Sequence, residues 1–205
     1  MKKALLLLSL IFFVHHAKAD CCRGWYVGGF EGFNFIDNSQ LSYETTAGTA
    51  KETISYHTGF YVGGFFGYRF SPCWRGELEL SYRNNAVDKM TISDVKYKTN
   101  GEEVTTISGL GNVCMDWDIG HCFFPYLGLG IGYGRTHEEY IDLSSMPNIM
   151  VSPVSDTSMN IIAQGIGGIS CPCCDYIDVS LEYRYIYKSQ SGDNRSIGIS
   201  VKGYF

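Results

Sequence analysis

Most of the chain beyond residue 24 repeats one pattern, runs of about ten residues in which apolar side chains alternate with polar or small ones. The clearest run is 76–84. Leu78, Leu80 and Tyr82 share one parity there, and Glu77, Glu79, Ser81 and Arg83 share the other. A period of two sends these sets to opposite faces of a β-strand. The run 176–187 repeats it, with Ile177, Val179, Leu181, Tyr183, Tyr185 and Tyr187 against Asp178, Ser180, Glu182 and Arg184. In 60–70, Phe60, Val62, Phe66, Tyr68 and Phe70 oppose Tyr61, Gly63, Phe65, Gly67 and Arg69. In 126–133, Leu127, Leu129, Ile131 and Tyr133 oppose Gly128, Gly130 and Gly132. In 196–205, Ile197, Ile199, Val201 and Phe205 oppose Ser196, Gly198, Ser200, Lys202 and Tyr204. Weaker alternation marks 25–35, 107–117 and 160–170.

These runs predict eight strands. The connections between them alternate in length: 71–74, 118–123 and 171–175 are short, whereas 36–57, 85–103 and 136–158 are long and polar, and 188–194 is modest. No segment after residue 19 is a long apolar run of the kind a membrane helix needs. A membrane could then be crossed only by a closed barrel, because only helices and closed barrels satisfy their backbone in lipid. Short turns at one end and long loops at the other are the outer-membrane barrel layout. The predicted fold is all-β, an eight-stranded antiparallel transmembrane up-and-down β-barrel over 20–205, with the short turns and both termini in the periplasm. A soluble β-sandwich would show the same alternation with the faces exchanged. The aromatics favour the barrel: Trp25, Trp74, Trp117, Tyr126 and Tyr176 would ring one membrane boundary, and Tyr82, Tyr133, Tyr185 and Tyr187 the other. The first strand leaves a question open, because Glu31 shares the parity of Trp25, Val27 and Phe33. Either it faces inward with them, or it lies where the strand leaves the membrane.

Composition agrees with pleated strands. Apolar residues make up 45% of the 205, with 15 Tyr and 24 Gly but only 5 Pro, and the mean hydropathy is -0.05, so apolar residues are plentiful without forming long runs. Residues 1–19 stand apart. Lys2 and Lys3 precede an apolar stretch over 4–14, and Ala17 and Ala19 supply the small residues that a signal peptidase reads. This is the pattern of a cleaved secretory signal peptide, and the stretch is too short to span a bilayer. An acidic residue, Asp20, precedes Cys21, which does not suit a lipoprotein site. Loss of Lys2, Lys3 and Lys18 would take the net charge from -5 to -8, and so acidic a chain is unsuited to nucleic acid.

The run 108–117 (Ser-Gly-Leu-Gly-Asn-Val-Cys-Met-Asp-Trp) followed by 124–133 (Phe-Pro-Tyr-Leu-Gly-Leu-Gly-Ile-Gly-Tyr) resembles the paired-strand signature of small OmpA-like and Opa-like surface antigens. Gln164 before Gly165, and Leu181-Glu182-Tyr183-Arg184-Tyr185, fit the same family. The resemblance implies an eight-stranded barrel with variable outer loops, set in outer-membrane lipid. It implies no single activity, since members differ as adhesins, structural anchors and small pores. The terminal aromatic Phe205, with apolar residues at alternate positions before it, is similar to the signal read by the outer-membrane assembly machinery. No peptidoglycan-binding domain follows the barrel pattern, so anchoring by that route is not expected.

Eight cysteines set this chain apart from the family's usual members. On the predicted topology all of them fall at the short-turn end: Cys21 and Cys22 before the first strand, Cys73 in the first turn, Cys114 closing the fourth strand, Cys122 in the second turn, and Cys171, Cys173 and Cys174 forming the third. A disulfide set on the periplasmic face suits the oxidising compartment. It could clamp turns together or join this chain to other envelope proteins. The adjacent pairs Cys21-Cys22 and Cys173-Cys174 do not readily bridge within themselves. Two other readings use fewer of the cysteines: a metal site from His121, Cys122, Cys171 and Cys174, with imperfect spacing, and a redox centre at the C-x-x-C of 171–174, which lacks the helix that normally activates it.

The parity that faces inward carries charge. Arg69, Arg83, Arg184 and Lys202 would meet Glu77, Glu79, Asp116, Asp178 and Glu182 inside a barrel only wide enough for side chains. A satisfied ion-pair plug is the simplest account, and a narrow ion pathway the alternative. A lipid-modifying enzyme would need a nucleophile and base near the outer rim. His57 and His137, with Ser55 and Glu138 nearby in sequence, are the available groups, and no lipase motif surrounds them. The glycines of 128–132 recur every second residue, not as a nucleotide loop; they suit a crowded barrel interior. No catalytic residue, cofactor or metal is therefore assigned. The expected protein is a non-enzymatic surface barrel of structural or adhesin type, whose candidate partners are host surface molecules and other envelope proteins. Mass spectrometry of the exported protein is expected to find Asp20 as the first residue; an intact N-terminus would remove the leader reading.

Overall fold

The computed structural model describes residues 24–37, 39–45, 48–92, 95–98, 103–119, 123–141, 153–188 and 193–205. The leader 1–19 and Cys21, Cys22, His121 and Cys122 lie outside them. Among the described residues there are eleven strands: β1 (Gly24–Ile36), β2 (Ser39–Thr45), β3 (Gly48–Tyr56), β4 (Gly59–Arg69), β5 (Trp74–Ile92), β6 (Val95–Lys98), β7 (Glu103–Asp116), β8 (Phe124–Ile141), β9 (Pro153–Cys174), β10 (Ile177–Lys188) and β11 (Asn194–Tyr204).

Eight of them close into a ring, β1-β4-β5-β7-β8-β9-β10-β11, every pair antiparallel. Register shows the stagger. From Glu31 one path runs through Val62, Tyr82 and Ile107 to Arg135. The other runs through Ile199, Leu181 and Ile169 to Pro125, ten positions away on the same strand. For eight strands such a stagger means a tilt of about 35–45° and a lumen just wide enough for side chains.

The exterior is apolar. Leu78, Leu80, Leu129 and Ile131 are 70%, 72%, 76% and 66% exposed, which in water would be a defect and in lipid is the requirement. Trp25, Trp74 and Trp117 point outward at the short-turn end, and Tyr133, Tyr185 and Tyr187 do so further along the strands. Tyr126 corrects the expected girdle. It is buried in the lumen, because its parity is that of Gly128 and Gly130 and not that of Leu127 and Leu129. Glu31 faces outward with Trp25, Val27 and Phe33, which removes the inward alternative.

The strands also outrun the expected loops. β5, β8 and β9 extend well past their alternating cores, and β2, β3 and β6 occupy segments expected to be loop. Beyond the barrel, β3 pairs with the far end of β5, β2 with β3, and β6 with β5. The sequence template looked for an apolar outward face, and that face ends where the membrane ends. Residues 171–174 are a second correction: they are strand, not turn, and the turn is Asp175-Tyr176. A register shift at Ile177/Asp178 leaves Cys173 as an extra residue beside Pro172, the expected effect of a residue with no N–H to give the ladder.

Inward glycines make room for large neighbours. Gly198 pairs with Gly32 across the β1–β11 seam, and a Cβ at Gly198 would strike the Glu31 carbonyl oxygen and lie 2.5 Å from the Tyr61 hydroxyl. Gly198→Val is therefore expected to block closure, read as loss of the fast-migrating folded band on unheated gels. A variant with normal heat-dependent mobility would show that the seam has slack.

Candidate functional site: the charged lumen

Three strands, β5, β7 and β10, carry most of the lumen's charge, because their inward parity holds Glu, Asp and Arg where β1 and β4 hold rings. At mid-height Arg184 is the hub. Its Nη1 donates to Glu79 at 2.7 Å, and its Nη2 and Nε donate to Glu182 at 2.7 and 2.9 Å. Asn112 and Gln164 donate to the same Glu79 oxygen at 2.8 and 3.0 Å. Ser200 donates to Glu182 at 2.6 Å, and the Tyr126 hydroxyl also donates to it. The guanidinium lies 4.0 Å from the centre of the Phe30 ring.

Toward the short-turn end a second cluster forms. Asp116 accepts from Arg69 at 2.8 Å and from Arg75 at 3.0 Å. Arg75 also pairs with Glu77, which accepts from Tyr26 at 2.9 Å. Tyr204 receives Arg69 at 3.1 Å and donates to Asp178 at 2.8 Å, with Lys202 Nζ 3.9 Å from that carboxylate. Toward the long-loop end the partners are neutral. Arg83 donates to Ser81 and Ser108 at 2.8 and 3.1 Å, and Lys188 to Thr106 at 3.0 Å. Asn34 and Asn85 bond at 2.6 Å. Apolar groups fill the remaining space, with Tyr26, Phe30, Tyr61 and Phe65 on one wall and Leu110, Ile162 and Ile186 on the other.

Of the nine charged residues assigned to the interior from the sequence, Glu77, Glu79, Arg83, Asp116, Glu182, Arg184 and Lys202 are buried and Arg69 and Asp178 half-buried, and Arg75 and Lys188 are buried beside them. Arg75 sits next to the turn, one residue before the expected strand start, and Lys188 one residue past an expected end. The parity 75-77-79-81-83 and 184-186-188 carried the signal; the strand limits cut it off. Cys114 is buried in the lumen, with its Sγ 3.9 Å from Glu77. It lies near the end of β7, as expected, but its thiol faces the interior and not the periplasmic surface where the other candidates lie. The other described cysteines, Cys73, Cys171, Cys173 and Cys174, are at the short-turn end with free thiols, and all but half-buried Cys171 are exposed. His57 and His137 are not brought together. His57 Nε2 lies 3.1 Å from Asp88, and His137 Nδ1 lies 3.0 Å from the Thr157 hydroxyl. Phe205 is exposed, with its backbone N–H bonded to the Trp25 carbonyl at 3.1 Å.

A closed eight-stranded ring with an apolar exterior and an ion-paired, hydrogen-bonded interior defines a small transmembrane barrel of the bacterial outer membrane. The chain belongs to the outer membrane protein beta-barrel domain family, whose model matches residues 4–205. It is similar in structure to Neisserial surface protein A (NspA), at 19% identity over 89% of this chain and 97% of that one, with a TM-score of 0.56. It is also similar to the outer membrane protein OprG from Pseudomonas aeruginosa, at 14% identity over 89% and 97%, with a TM-score of 0.55. No curated protein sequence gives a significant match.

Arg184→Met strands Glu79 and Glu182 without their cation. It is expected to cost about 3–5 kcal/mol, measured as urea-induced unfolding in lipid vesicles. The neutralised triple variant Arg184→Met, Glu79→Gln, Glu182→Gln is expected to recover most of that loss. If the single and triple variants are equally unstable, packing and not charge pairing holds the lumen.

Proposed function

We propose that the protein is a non-enzymatic surface barrel of structural or adhesin type, which presents its long-loop end to the environment or a host and keeps its short-turn end in the periplasm. The observation that carries this reading is the sheet beyond the barrel, in the order β2-β3-β5-β6. A barrel has no edges, but this extension ends in β2 and β6, each paired on one side only among the described residues. Unpaired strand edges offer backbone donors and acceptors to a partner chain. The lumen, in contrast, is occupied by buried side chains bonded to one another, which supports a plug rather than a passage. The separate pairing of His57 and His137 supports no acid–base site at the rim.

The cysteines fit the same orientation. Cys73, Cys171, Cys173 and Cys174 lie at the end that would face the oxidising periplasm, and the Cys173 bulge leaves two thiols exposed side by side in sequence. We read these as disulfide partners for turns or for neighbouring envelope proteins. Cys114, sealed in the lumen, is outside that set. Phe205, at the end of β11, is the proposed contact for the assembly machinery.

Replacing 39–56 by a short turn is expected to leave the barrel folded while lowering binding of the protein-bearing cells to host cells or matrix. Unchanged binding would remove the adhesin reading. In planar bilayers the intact protein is expected to give no steady conductance steps, and their appearance would favour a pore. On non-reducing gels of native envelopes, high-mass bands that collapse with reductant are expected; monomer alone would confine the cysteines to internal clamping.

A further inference from the structure

Six lysines follow residue 19: Lys51, Lys89, Lys96, Lys98, Lys188 and Lys202. Lys188 and Lys202 are buried in the lumen. The other four all fall on the sheet that extends the barrel at its long-loop end, β2-β3-β5-β6. Directly opposed residues of an antiparallel ladder share a face, and the face alternates at each step. Three ladder rows therefore lie on one face: Ser55-Lys89-Lys98, then Gln40-Thr53-Thr91-Lys96, then Ser42-Lys51. The rows between them, Ser39-Ile54-Met90-Tyr97 and Leu41-Glu52-Ile92-Val95, fall on the other face, followed by Tyr43-Ala50. All four lysines thus share a face with hydroxyl and amide residues, while the apolar residues of these rows take the opposite one. Glu44, opposite Thr49, is the one acid in the rows of the lysine face. Asp88, in the bulge beside Lys89, pairs with His57.

Lysines on an edge strand can serve only to blunt it against aggregation. That accounts for Lys96 and Lys98 on β6, but not for Lys51 and Lys89, which stand on the two inner strands of the extension, nor for the lack of lysine on the other edge, β2. Lys89 stands directly opposite Lys98, and like charges so placed destabilise a sheet on their own. A negatively charged partner reverses the sign of that interaction. Rows on one face are about 7 Å apart, so the four charges spread over about 14 Å along the strands. One small ion cannot meet them all, whereas a chain of repeated negative groups engages them together.

We propose that the lysine face of the extension binds an acidic polysaccharide. Lys51, Lys89, Lys96 and Lys98 meet its negative groups, and Gln40, Ser42, Thr53 and Thr91 offer donors and acceptors that suit sugar hydroxyls. A nucleic acid would call for aromatic rings on which bases stack, but Tyr43 and Tyr97 belong to the opposite face. Access to such a polymer in the cell rests on the orientation proposed above; the binding itself does not.

The test uses the full mature protein in phosphatidylcholine nanodiscs, which leave both ends of the barrel in water, so cellular orientation does not enter. Dextran sulfate is expected to bind with an affinity that falls steeply as salt rises, and uncharged dextran is expected not to bind. The double variant Lys89→Gln, Lys98→Gln is expected to bind about tenfold more weakly and with roughly half the salt slope. The double variant Lys89→Arg, Lys98→Arg is expected to bind as the parent does, and unheated gels report that each barrel is folded. Arg135→Gln, at an exposed position of β8, is expected to change nothing. Undiminished binding by the glutamine variant, or an equal loss in Arg135→Gln, would overturn the proposal. So would capture of phosphatidylglycerol vesicles without dextran sulfate, since the face would then serve a lipid surface. If dextran sulfate does not bind but removal of 39–56 still lowers host-cell binding, this inference fails and the surface reading stands.

Discussion

Hydrocarbon has no hydrogen bonds to offer a peptide group, and this constraint organises the whole molecule. Each strand between the two aromatic girdles must be paired on both sides. The pairing of β1 with β11 meets that need for the first and last strands, and the pairing of β5 with β7 closes the other side. Closure with eight strands and a ten-residue stagger leaves a lumen of side-chain width. Everything inside follows from that width. Groups that enter must fit, and polar ones must find one another, because water has little room to serve them.

The lumen meets this demand with two different materials. Rings from β1 and β4 fill one wall, and Arg–carboxylate pairs from β5, β7 and β10 fill the other. Arg184 joins them, bonded to Glu79 and Glu182 while its flat face rests on Phe30. The planar fork of arginine suits that double duty better than lysine could. Charge pairing is not uniform along the axis. The carboxylates gather at mid-height and toward the short turns, whereas Arg83 and Lys188 are held by hydroxyl groups nearer the long-loop end. Buried polar atoms without a bond are found at each level among the described residues: Nε of Arg69 and Nη2 of Arg75 toward the short turns, Oε1 of Glu79 at mid-height, and Nε and Nη2 of Arg83 toward the long loops.

The outer surface divides by solvent in the same way. Within the membrane it is apolar and edge-free. Beyond it, the strands continue and acquire partners in β2, β3 and β6, so that the only open strand edges described lie away from lipid. Glu31 breaks the rule inside the belt. Its outward placement is forced by the alternation that also sends Tyr26, Phe30 and Asn34 into the lumen: a shift of one residue would satisfy Glu31 at the cost of turning the interior rings into lipid.

The alternation of apolar and polar residues was enough to determine the eight barrel strands and the barrel class, because in a β-strand parity alone decides which face a side chain takes. It was not enough to determine where strands stop. Outside the membrane a strand has no lipid-facing side to match, so β2, β3, β6 and the outer parts of β5, β8 and β9 fell outside the template, and Arg75 and Lys188 were lost at the margins. Tyr126 was misassigned against its parity, because its ring chemistry suits a girdle, and position in sequence put residues 171–174 in a turn. Partner identity belongs to the tertiary structure alone. That Arg184 meets Glu79, 105 positions away, depends on ladder register around a closed ring, and register is set by the joint fit of all eight strands rather than by any one of them.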